Sequence, residues 1–372
     1  MWGSPRCRRP RYGREMSDLR VLVLGGGSWG TTVAHLAAHN TPTVVWARDE
    51  ATVESVNTSH LNPRYLPGHA LHPSLSATSD LEAAVAVTDV VVMGVPTGAF
   101  RATCERIAPH LRPWVPVISL AKGFEPETML RMTQIAEQLL PGRPVGVLTG
   151  PNLAKEILAG QPAAAVVALS EHHIAQRLQD VFATPTFRVF THHDVVGCEL
   201  GGALKNVYAI AAGAVEGRKL GDNARAAIIT RSLAELIDLG SAMGGEPLTL
   251  AGLAGMGDLL ATSISPQSRN FRVGRELGEG RPIADILADM DQVAEGVKAA
   301  QVVHDLSARH QVRMPIASQV YAVCWEGKDP DFAQDALLRG RVGHERPGHE
   351  APNPVSVPVR AVSGRGLEWT GQ

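Results

Sequence analysis

Long apolar runs and a strong net charge are both missing from this 372-residue sequence. The longest apolar stretches, such as residues 163–169, reach less than half of the roughly 18 residues that a membrane span needs, which excludes a membrane-spanning class. Thirty-five basic and 37 acidic residues leave a net charge of −2. The chain therefore has no overall basic field to attract nucleic acid or a membrane surface.

Cysteine is also scarce, with four residues that share no CxxC or metal-ligand spacing. This excludes a disulfide framework and a cysteine metal site, and it favours the reducing cytoplasm. Glycine and proline, at 37 and 25 residues, stay below the roughly 25% that marks a low-complexity chain. The length predicts two folded domains of about 150 residues each.

The two ends differ in composition from the middle of the chain. Residues 1–19 contain five arginines but no apolar segment of the kind that a secretory signal needs. They are predicted to be a disordered basic leader, and a start of the chain at Met16 is left open. A mitochondrial transit peptide is the alternative, although Pro5 and Pro10 oppose its amphipathic helix. Residues 343–372 are rich in proline and small polar residues, which predicts a disordered tail.

Between residues 20 and 192, short apolar runs alternate with helical windows. This alternation predicts a Rossmann-type, doubly wound and mostly parallel sheet, because parallel strands need crossover helices between them. The predicted strands are residues 20–24, 43–46, 89–95, 115–119, 145–149, 164–169 and 187–190, and the helical windows are residues 31–38, 99–108 and 128–139.

From about residue 193 helical periodicity replaces the strand pattern, which predicts an all-α C-terminal domain over residues 193–342. Helices are predicted at residues 200–214, 282–290 and 297–308. A further helix has Ile229, Leu233, Leu236 and Ile237 on one face, and Gly240 is predicted to end it.

Three glycines directly after the first predicted strand match the pattern GxGxxG. Gly25 permits a tight turn, Gly27 lets the backbone approach a pyrophosphate, and Gly30 allows close packing of helix on strand. Because the motif follows a strand and opens a helix, it predicts a dinucleotide site. Arg48, after the second strand, favours a 2′-phosphorylated cofactor, whereas the adjacent Asp49 leaves NAD(H) open.

Polar, glycine-bearing segments follow two further strands, at residues 119–123 and 150–156. Ligands bind at this carboxyl edge of open α/β sheets. In the helical half, Lys205 belongs to an otherwise apolar helix, where partial desolvation lowers the pKa of an amine toward the range useful for proton transfer. Ser268, Arg269 and Asn270 offer a guanidinium fork and neutral donors that suit a phosphate.

Taken in order, eight segments resemble the NAD(P)-dependent sn-glycerol-3-phosphate dehydrogenase family of bacteria, over roughly residues 20–340. The segments are GGGSWGT (25–31), NPRYLP (62–67), SLAKG (119–123), GPNLAKE (150–156), LGGALKNVYAIAAG (200–213), GDNARAAIITR (221–231), AGMGDLLAT (254–262) and QSRN (267–270). Met256 and Asn152 depart from the residues that the family often has, without changing ionisable chemistry.

The resemblance implies reversible reduction of dihydroxyacetone phosphate to sn-glycerol 3-phosphate, with NADP(H) preferred and NAD(H) as a second cofactor. It implies that Lys205 is the general acid/base, that Lys122 contacts substrate and cofactor, and that Asp258 partners Lys205 or the substrate hydroxyl. The implied cofactor contacts, besides the three glycines, are Ser28, Trp29, Arg48, Lys122, Ala154, Arg269, Val293 and Glu295. The implied substrate contacts are Lys122, Gly150, Asn152, Lys205, Asp258, Ser268, Arg269 and Asn270.

Two other functions remain open at this point. A related reductase of the same two-domain layout, acting on a hydroxyacid or ketopantoate, would not need residues 268–270 beside Lys122 and Lys205. A non-catalytic NAD(P)-binding redox sensor would explain the glycine loop only. We expect no metal, no nucleic acid and no membrane span, and the sequence leaves a homodimer open.

Overall fold

The computed structural model describes residues 19–290, 294–331 and 333. The predicted tail and all but the last residue of the predicted leader lie outside these residues, and so does Val293.

Eight strands form a single sheet in the described part of the chain, in the order β3-β2-β1-β4-β5-β6-β7-β8. All neighbours are parallel except β6 and β7, which confirms the doubly wound, mostly parallel fold. The strands are β1 (Val21–Leu24), β2 (Thr43–Trp46), β3 (Leu75–Thr78), β4 (Val90–Met93), β5 (Val117–Ser119), β6 (Val145–Thr149), β7 (Ala163–Ala168) and β8 (Phe187–His192).

Helices cover both faces of this sheet, and the alternation of side chains along β1 shows how. Val21 and Val23 pack into a core with Val33 of the first helix, whereas Leu22 and Leu24 pack into a second core on the opposite face. These helices are α1 (Ser28–Ala38), α2 (Glu50–Ser59), α3 (Leu81–Val87), α4 (Thr97–Ile107), α5 (Met132–Leu139), α6 (Ala154–Leu158) and α7 (His172–Phe182).

The rest of the described chain is helical, as predicted. Its helices are α8 (Val195–Gly217), α9 (Asp222–Ala242), α10 (Pro247–Leu250), a π-helical turn (Leu253–Gly257), α11 (Asp258–Ile264), α12 (Arg269–Gly278), α13 (Ile283–Ala288), α14 (Glu295–His310) and α15 (Pro315–Trp325). Strand β8 ends at His192 and α8 begins at Val195, and the domain boundary near residue 192 stays a prediction.

Helix α8 lies in the core of the helical half, and α12 packs closely against it. A Cβ added to Gly213 would lie 2.1 Å from the carbonyl oxygen of Phe271, and one on Gly274 would lie 1.9 Å from that of Ile210. Glycine is therefore required on both helices for their backbones to approach. The contact brings the first turn of α12 next to the middle of α8, where Lys205 lies.

The prediction that Gly240 ends a helix was wrong, because α9 continues to Ala242. Gly240 is buried, and a Cβ there would lie 2.6 Å from Cδ1 of Leu250. A small residue is therefore required at position 240 because α10 packs against it. It is not required there to end the helix.

One stretch of the described residues, Pro247–Ile264, is long and apolar enough by composition to cross a membrane, with a mean hydropathy of 1.2. It consists of α10, the π-helical turn and α11, and 44% of it is buried inside the protein. The same composition is found in core segments of soluble proteins, so this stretch does not establish a membrane span.

Candidate active site

A cleft of about 1060 Å³ runs from the glycine loop after β1 to the helical half of the chain. Both halves of the chain line it, and they bring together most of the residues that the sequence predicted. The predicted residues that line the cleft are Gly25, Gly27, Ser28, Trp29, Gly30, Arg48, Lys122, Asn152, Lys205, Asp258, Ser268, Arg269, Asn270 and Glu295.

The glycine loop has the geometry that close approach of a ligand requires. Gly25 has φ of +120°, and a Cβ there would lie 2.6 Å from the carbonyl oxygen of Gly94. A Cβ on Gly30 would lie 2.2 Å from the carbonyl oxygen of Gly25, so only glycine lets α1 begin this close to β1. Beside Gly27, by contrast, a Cβ would meet no heavy atom of the described residues within 4 Å.

The first turn of α1 is open to an anion. Its N-cap residue, Gly27, has no side chain that could cap the helix, and the first turn contains no acidic residue. The indole Nε1 of Trp29 is buried and has no hydrogen-bond partner among the described residues. An open helix N-terminus beside the cleft fits a ligand that carries phosphates. The residues present therefore fit a dinucleotide.

Arg48 and Asp49 follow β2 at the same end of the cleft, and only one of them has a structural partner. The carboxylate of Asp49 caps α2, accepting from Thr52 N at 3.1 Å and from Thr52 Oγ1 at 2.6 Å. The hydroxyl bond of Thr52 is the main cause that lowers the pKa of Asp49. No hydrogen bond or ion pair holds Arg48 among the described residues. Both bonds end on Oδ2, so the cap fixes the carboxylate of Asp49 beside Arg48 and leaves NAD(H) open as a second cofactor.

Two lysines share one buried carboxylate at the other end of the cleft. Asp258 is 2% exposed, and its Oδ2 accepts from Nζ of Lys122 at 2.6 Å while its Oδ1 accepts from Nζ of Lys205 at 2.7 Å. Lys205 also donates to Oγ1 of Thr262 at 2.5 Å, and Lys122 donates to the carbonyl oxygen of Gly150 at 2.9 Å. The site therefore holds two amines in fixed positions around a single negative charge.

Burial lowers the pKa of Lys205 to about 8. The charge of Asp258 opposes this shift, whereas the positive charge of Lys122 adds to it. The sequence predicted this direction from the apolar composition of α8. An amine with this pKa exchanges a proton near neutral pH, which is the property of a general acid/base.

Glu295, at the start of α14, is the second carboxyl group of the cleft. Burial raises the pKa of Glu295, and the positive charges of Arg269, Lys205 and Lys122 act in the opposite direction. These charge effects indicate that Glu295 lies among the three cationic side chains and extends the polar end of the cleft into α14.

A chain of amide hydrogen bonds connects the loop after β5 with three helices. Asn206 Nδ2 donates to the carbonyl oxygen of Lys122 at 3.2 Å, and Asn206 Oδ1 accepts from Asn270 at 3.0 Å. Asn270 Oδ1 in turn accepts from the backbone N–H of Gly296 at 2.9 Å. This chain fixes Lys122 relative to α8, α12 and the start of α14.

The first turn of α12 faces the cleft with Ser268, Arg269 and Asn270. Ser268 caps the helix by accepting from Phe271 N at 3.2 Å, which leaves its hydroxyl proton free to donate. Across the cleft, both polar side-chain atoms of Asn152 are buried and have no hydrogen-bond partner among the described residues. Together they offer donors and a positive charge to a small phosphorylated ligand.

Two predicted residues lie beside the cleft rather than on its wall. Gly150 supplies the carbonyl oxygen that Lys122 binds, and Ala154 begins α6. No role was predicted from the sequence for Asn206 or Thr262. Thr262 accepts a hydrogen bond from the Lys205 amine, and Asn206 donates one to the backbone carbonyl oxygen of Lys122. A side chain that contacts a lysine 57 residues away leaves no signal in the local pattern, so Thr262 could not have been found in that way.

Two family descriptions match consecutive parts of the chain. Residues 20–175 match the N-terminal part of NAD-dependent glycerol-3-phosphate dehydrogenase, and residues 194–335 match its C-terminal part. The chain is 54% identical over 327 residues to glycerol-3-phosphate dehydrogenase (NAD(P)+) 2 of Sphingopyxis alaskensis, covering 88% of this chain and 98% of the relative.

A second relative is glycerol-3-phosphate dehydrogenase (NAD(P)+) 1 of Mycobacterium tuberculosis strain H37Rv, at 50% identity over 88% of this chain and 96% of the relative. Among solved structures, a glycerol-3-phosphate dehydrogenase from Coxiella burnetii matches with a TM-score of 0.82 and 35% identity. That match covers 86% of this chain and 99% of the solved chain.

Proposed function

This chain belongs to the NAD-dependent glycerol-3-phosphate dehydrogenase family, and we propose on that premise how its cleft performs the reaction. The protein is an oxidoreductase that reversibly reduces dihydroxyacetone phosphate to sn-glycerol 3-phosphate with NAD(P)H, and so supplies glycerophospholipid synthesis. The observation that carries the assignment of roles is the Lys122–Asp258–Lys205 group, held in the same cleft as the glycine loop.

Lys205 is the general acid of the reduction. A bound reduced nicotinamide supplies the hydride, so the chain must orient the substrate and supply a proton to the carbonyl oxygen. The Lys205 ammonium, with a pKa of about 8, donates that proton and becomes a neutral amine. In the direction of oxidation the neutral amine takes the proton of the hydroxyl group.

Lys122 and Asp258 support this step in different ways. Asp258 holds the Lys205 amine in place and keeps it protonated near neutral pH, because its negative charge raises the pKa of Lys205. Lys122 places a second positive charge beside the developing negative charge on the substrate oxygen. Lys122 also lies between the two halves of the cleft, where it contacts both substrate and cofactor.

The phosphate of the substrate binds at the first turn of α12. Arg269 contributes a fork of charged donors, and Ser268 and Asn270 contribute neutral ones. Asn152 also lines the substrate, and its amide is without a partner among the described residues. The family resemblance adds Gly150, which acts through the carbonyl oxygen that Lys122 binds.

The dinucleotide binds along the glycine loop. Ser28, Trp29 and the open first turn of α1 would hold its pyrophosphate, and Arg48 would favour NADP(H) over NAD(H) through the 2′-phosphate. Ala154, Arg269, Val293 and Glu295 complete the cofactor contacts that the family resemblance implies; Val293 lies outside the described residues.

The location and the assembly of the protein are further proposals. The described cysteines are free, and two of the three are buried, which supports a reducing cytoplasm. Apolar side chains are exposed on α10 and α11, such as Leu248 at 85%, and this supports a homodimer. Size-exclusion chromatography with light scattering would measure the mass of the protein in solution. A mass of two chains would support the homodimer, and a mass of one chain would contradict it.

A spectrophotometric assay tests the function. Purified protein with NADPH should consume the reduced nicotinamide when dihydroxyacetone phosphate is added, with sn-glycerol 3-phosphate as the product. Ketopantoate serves as the control substrate, since a related reductase of the same layout would accept it. Turnover of ketopantoate but not of the triose phosphate would contradict the proposed function, and no turnover of either would favour a redox sensor.

A further inference from the structure

The adenosine end of the cleft contains more positive charge than Arg48 alone provides. Arg64 and Arg106 line the same end, Arg64 from the segment after α2 and Arg106 from α4. The carboxylate at this end, Asp49, is engaged in capping α2. Three guanidinium groups around one engaged carboxylate indicate a site for an additional negative charge.

Both added arginines lie over aromatic rings, and that of Arg64 is Tyr65, whose centre is 5.4 Å from the guanidinium. The guanidinium of Arg106 lies over the ring of Trp46, 5.7 Å from its centre, which places it against the end of β2. The charge of Arg64 acts on the carboxylate of Asp49, where it contributes to lowering the pKa of that group. What distinguishes Arg64 is this charge effect on Asp49, the neighbour of Arg48.

Arg64 is carried by a closed loop, residues 61–70, which we call the Arg64 loop. A backbone bridge between Leu61 and Ala70 closes it at the base. Leu66, within the loop, is fully buried and anchors it in the core of the first half. The loop is thus a fixed part of the fold and not a free surface segment.

The Arg64 loop is also attached directly to the glycine loop. Asn62 is fully buried, and its Nδ2 donates to the carbonyl oxygen of Gly26 at 2.9 Å and to Oγ1 of Thr31 at 3.0 Å. Ser28 Oγ donates to the carbonyl oxygen of Tyr65 at 3.2 Å. Any dinucleotide that lies along the glycine loop is therefore at a fixed distance from the backbone of Arg64.

We propose that Arg64 is a second specificity-determining residue, which binds the adenosine 2′-phosphate of NADP(H) together with Arg48. Arg48 follows β2 and Arg64 is carried by the Arg64 loop, and both line this end of the cleft, so both forks serve one phosphate. The charge of Asp49 attracts Arg64. This inference rests on the proposed function, because it assumes a dinucleotide on the glycine loop.

Binding of two adenosine probes tests the proposal without turnover. Calorimetry on the full chain compares adenosine 2′,5′-bisphosphate with adenosine 5′-monophosphate, which lacks the 2′-phosphate. A charge-assisted hydrogen bond is worth roughly ten-fold or more in affinity. Arg64→Ala should therefore weaken binding of the bisphosphate at least ten-fold and change binding of the monophosphate less than two-fold, and Arg64→Lys should lie between the two.

Two matched variants sharpen this test. Arg188→Ala removes an equal charge from the exposed face of β8, away from the cleft, and should leave both affinities unchanged. Arg106→Ala removes the arginine over Trp46 and should change the affinity ratio less than Arg64→Ala does. An unchanged ratio in Arg64→Ala, or a larger change in Arg106→Ala, would overturn the assignment of Arg64.

Steady-state kinetics separates failure of this proposal from failure of the proposed function. Arg64→Ala should lose at least ten-fold in kcat/KM for NADPH and keep its kcat/KM for NADH with dihydroxyacetone phosphate. If the wild-type protein reduces the triose phosphate but the cofactor ratio is the same in the variant, only the role of Arg64 is refuted. If the wild type does not turn over with either cofactor, the proposed function is refuted.

Discussion

Replacing Asp258 by asparagine removes the charge that the two lysines share and keeps the size of the side chain. Nζ of Lys205 lies 2.7 Å from Oδ1 of Asp258 and Nζ of Lys122 lies 2.6 Å from Oδ2, so the variant leaves two buried amines without a counter-charge between them. The neutral form of Lys205 should become more stable, because burial and the charge of Lys122 both lower its pKa and Asp258 is the main opposing charge.

The size of this effect follows from the distance between the charges. Two unit charges about 4 Å apart interact by about 4 kcal/mol at an effective dielectric constant of about 20, and one pKa unit corresponds to about 1.4 kcal/mol. Loss of the Asp258 charge should therefore lower the pKa of Lys205 by roughly two to three units from its value of about 8. Removing one member of a buried ion pair should also lower the free energy of unfolding, by about 3 kcal/mol.

The pH dependence of kcat for reduction measures the change. Because we propose that protonated Lys205 donates the proton of the reduction, wild-type kcat should fall as the pH rises through about 8. In Asp258→Asn the fall should begin roughly two to three pH units lower. Thr262→Val is the matched control, since it removes a neutral hydrogen bond to Lys205 and no charge, and its profile should shift by less than about one unit.

A descending limb that stays near pH 8 in Asp258→Asn would refute the reasoning, provided that the variant is folded by circular dichroism and binds NADPH. Such a result would mean that the carboxylate does not control the proton affinity of Lys205, whatever its effect on the overall rate.

Three shorter predictions concern other parts of the structure. Lys205→Ala should keep its affinity for NADPH and lose at least about a hundred-fold in kcat, and near-normal turnover would remove Lys205 from the mechanism. Gly30→Ala should abolish dinucleotide binding or destabilise the fold, because its Cβ would lie 2.2 Å from the carbonyl oxygen of Gly25; calorimetry with NADPH and a thermal melt separate the two effects. Burial raises the pKa of Glu235 from 4.5 to about 7, so its stabilising contribution is complete below about pH 4.5 and is lost as the pH rises through 7. Glu235→Gln should flatten this loss, which is on the order of 3 kcal/mol, in urea unfolding at a series of pH values, and an equally steep profile in the variant would contradict it.

The sheet was largely predictable because its strands are buried on both faces. Continuous apolar runs such as Val90–Met93 stand out in the sequence, and β8 was found from its alternating buried and exposed residues, so seven of the eight strands were predicted. The exception was β3, in which only Leu75 and Ala77 face the core and Ser76 between them is polar. A strand of four residues with two core positions does not differ from a loop in local composition.

The polar side chains of the cleft were predictable in kind but not in their contacts. An apolar helix around a single lysine gave the direction of the pKa shift of Lys205, since burial dominates it. The contact of Lys205 with Asp258 spans 53 residues, and that of Lys122 with Asp258 spans 136, and no periodic pattern carries such pairings. The segment NPRYLP (62–67) was singled out, but no role was predicted for Arg64, because its position depends on the hydrogen bonds of Asn62 to the glycine loop.

The central claim is that this chain interconverts dihydroxyacetone phosphate and sn-glycerol 3-phosphate with a proton that Lys205 holds. The most direct test is kcat of the wild-type protein as a function of pH in both directions, at saturating NADP(H) and substrate. We expect opposite limbs about one apparent pKa near 8, with reduction lost as the pH rises and oxidation lost as the pH falls. Limbs that run in the same direction, or limbs that persist in Lys205→Ala, would contradict it.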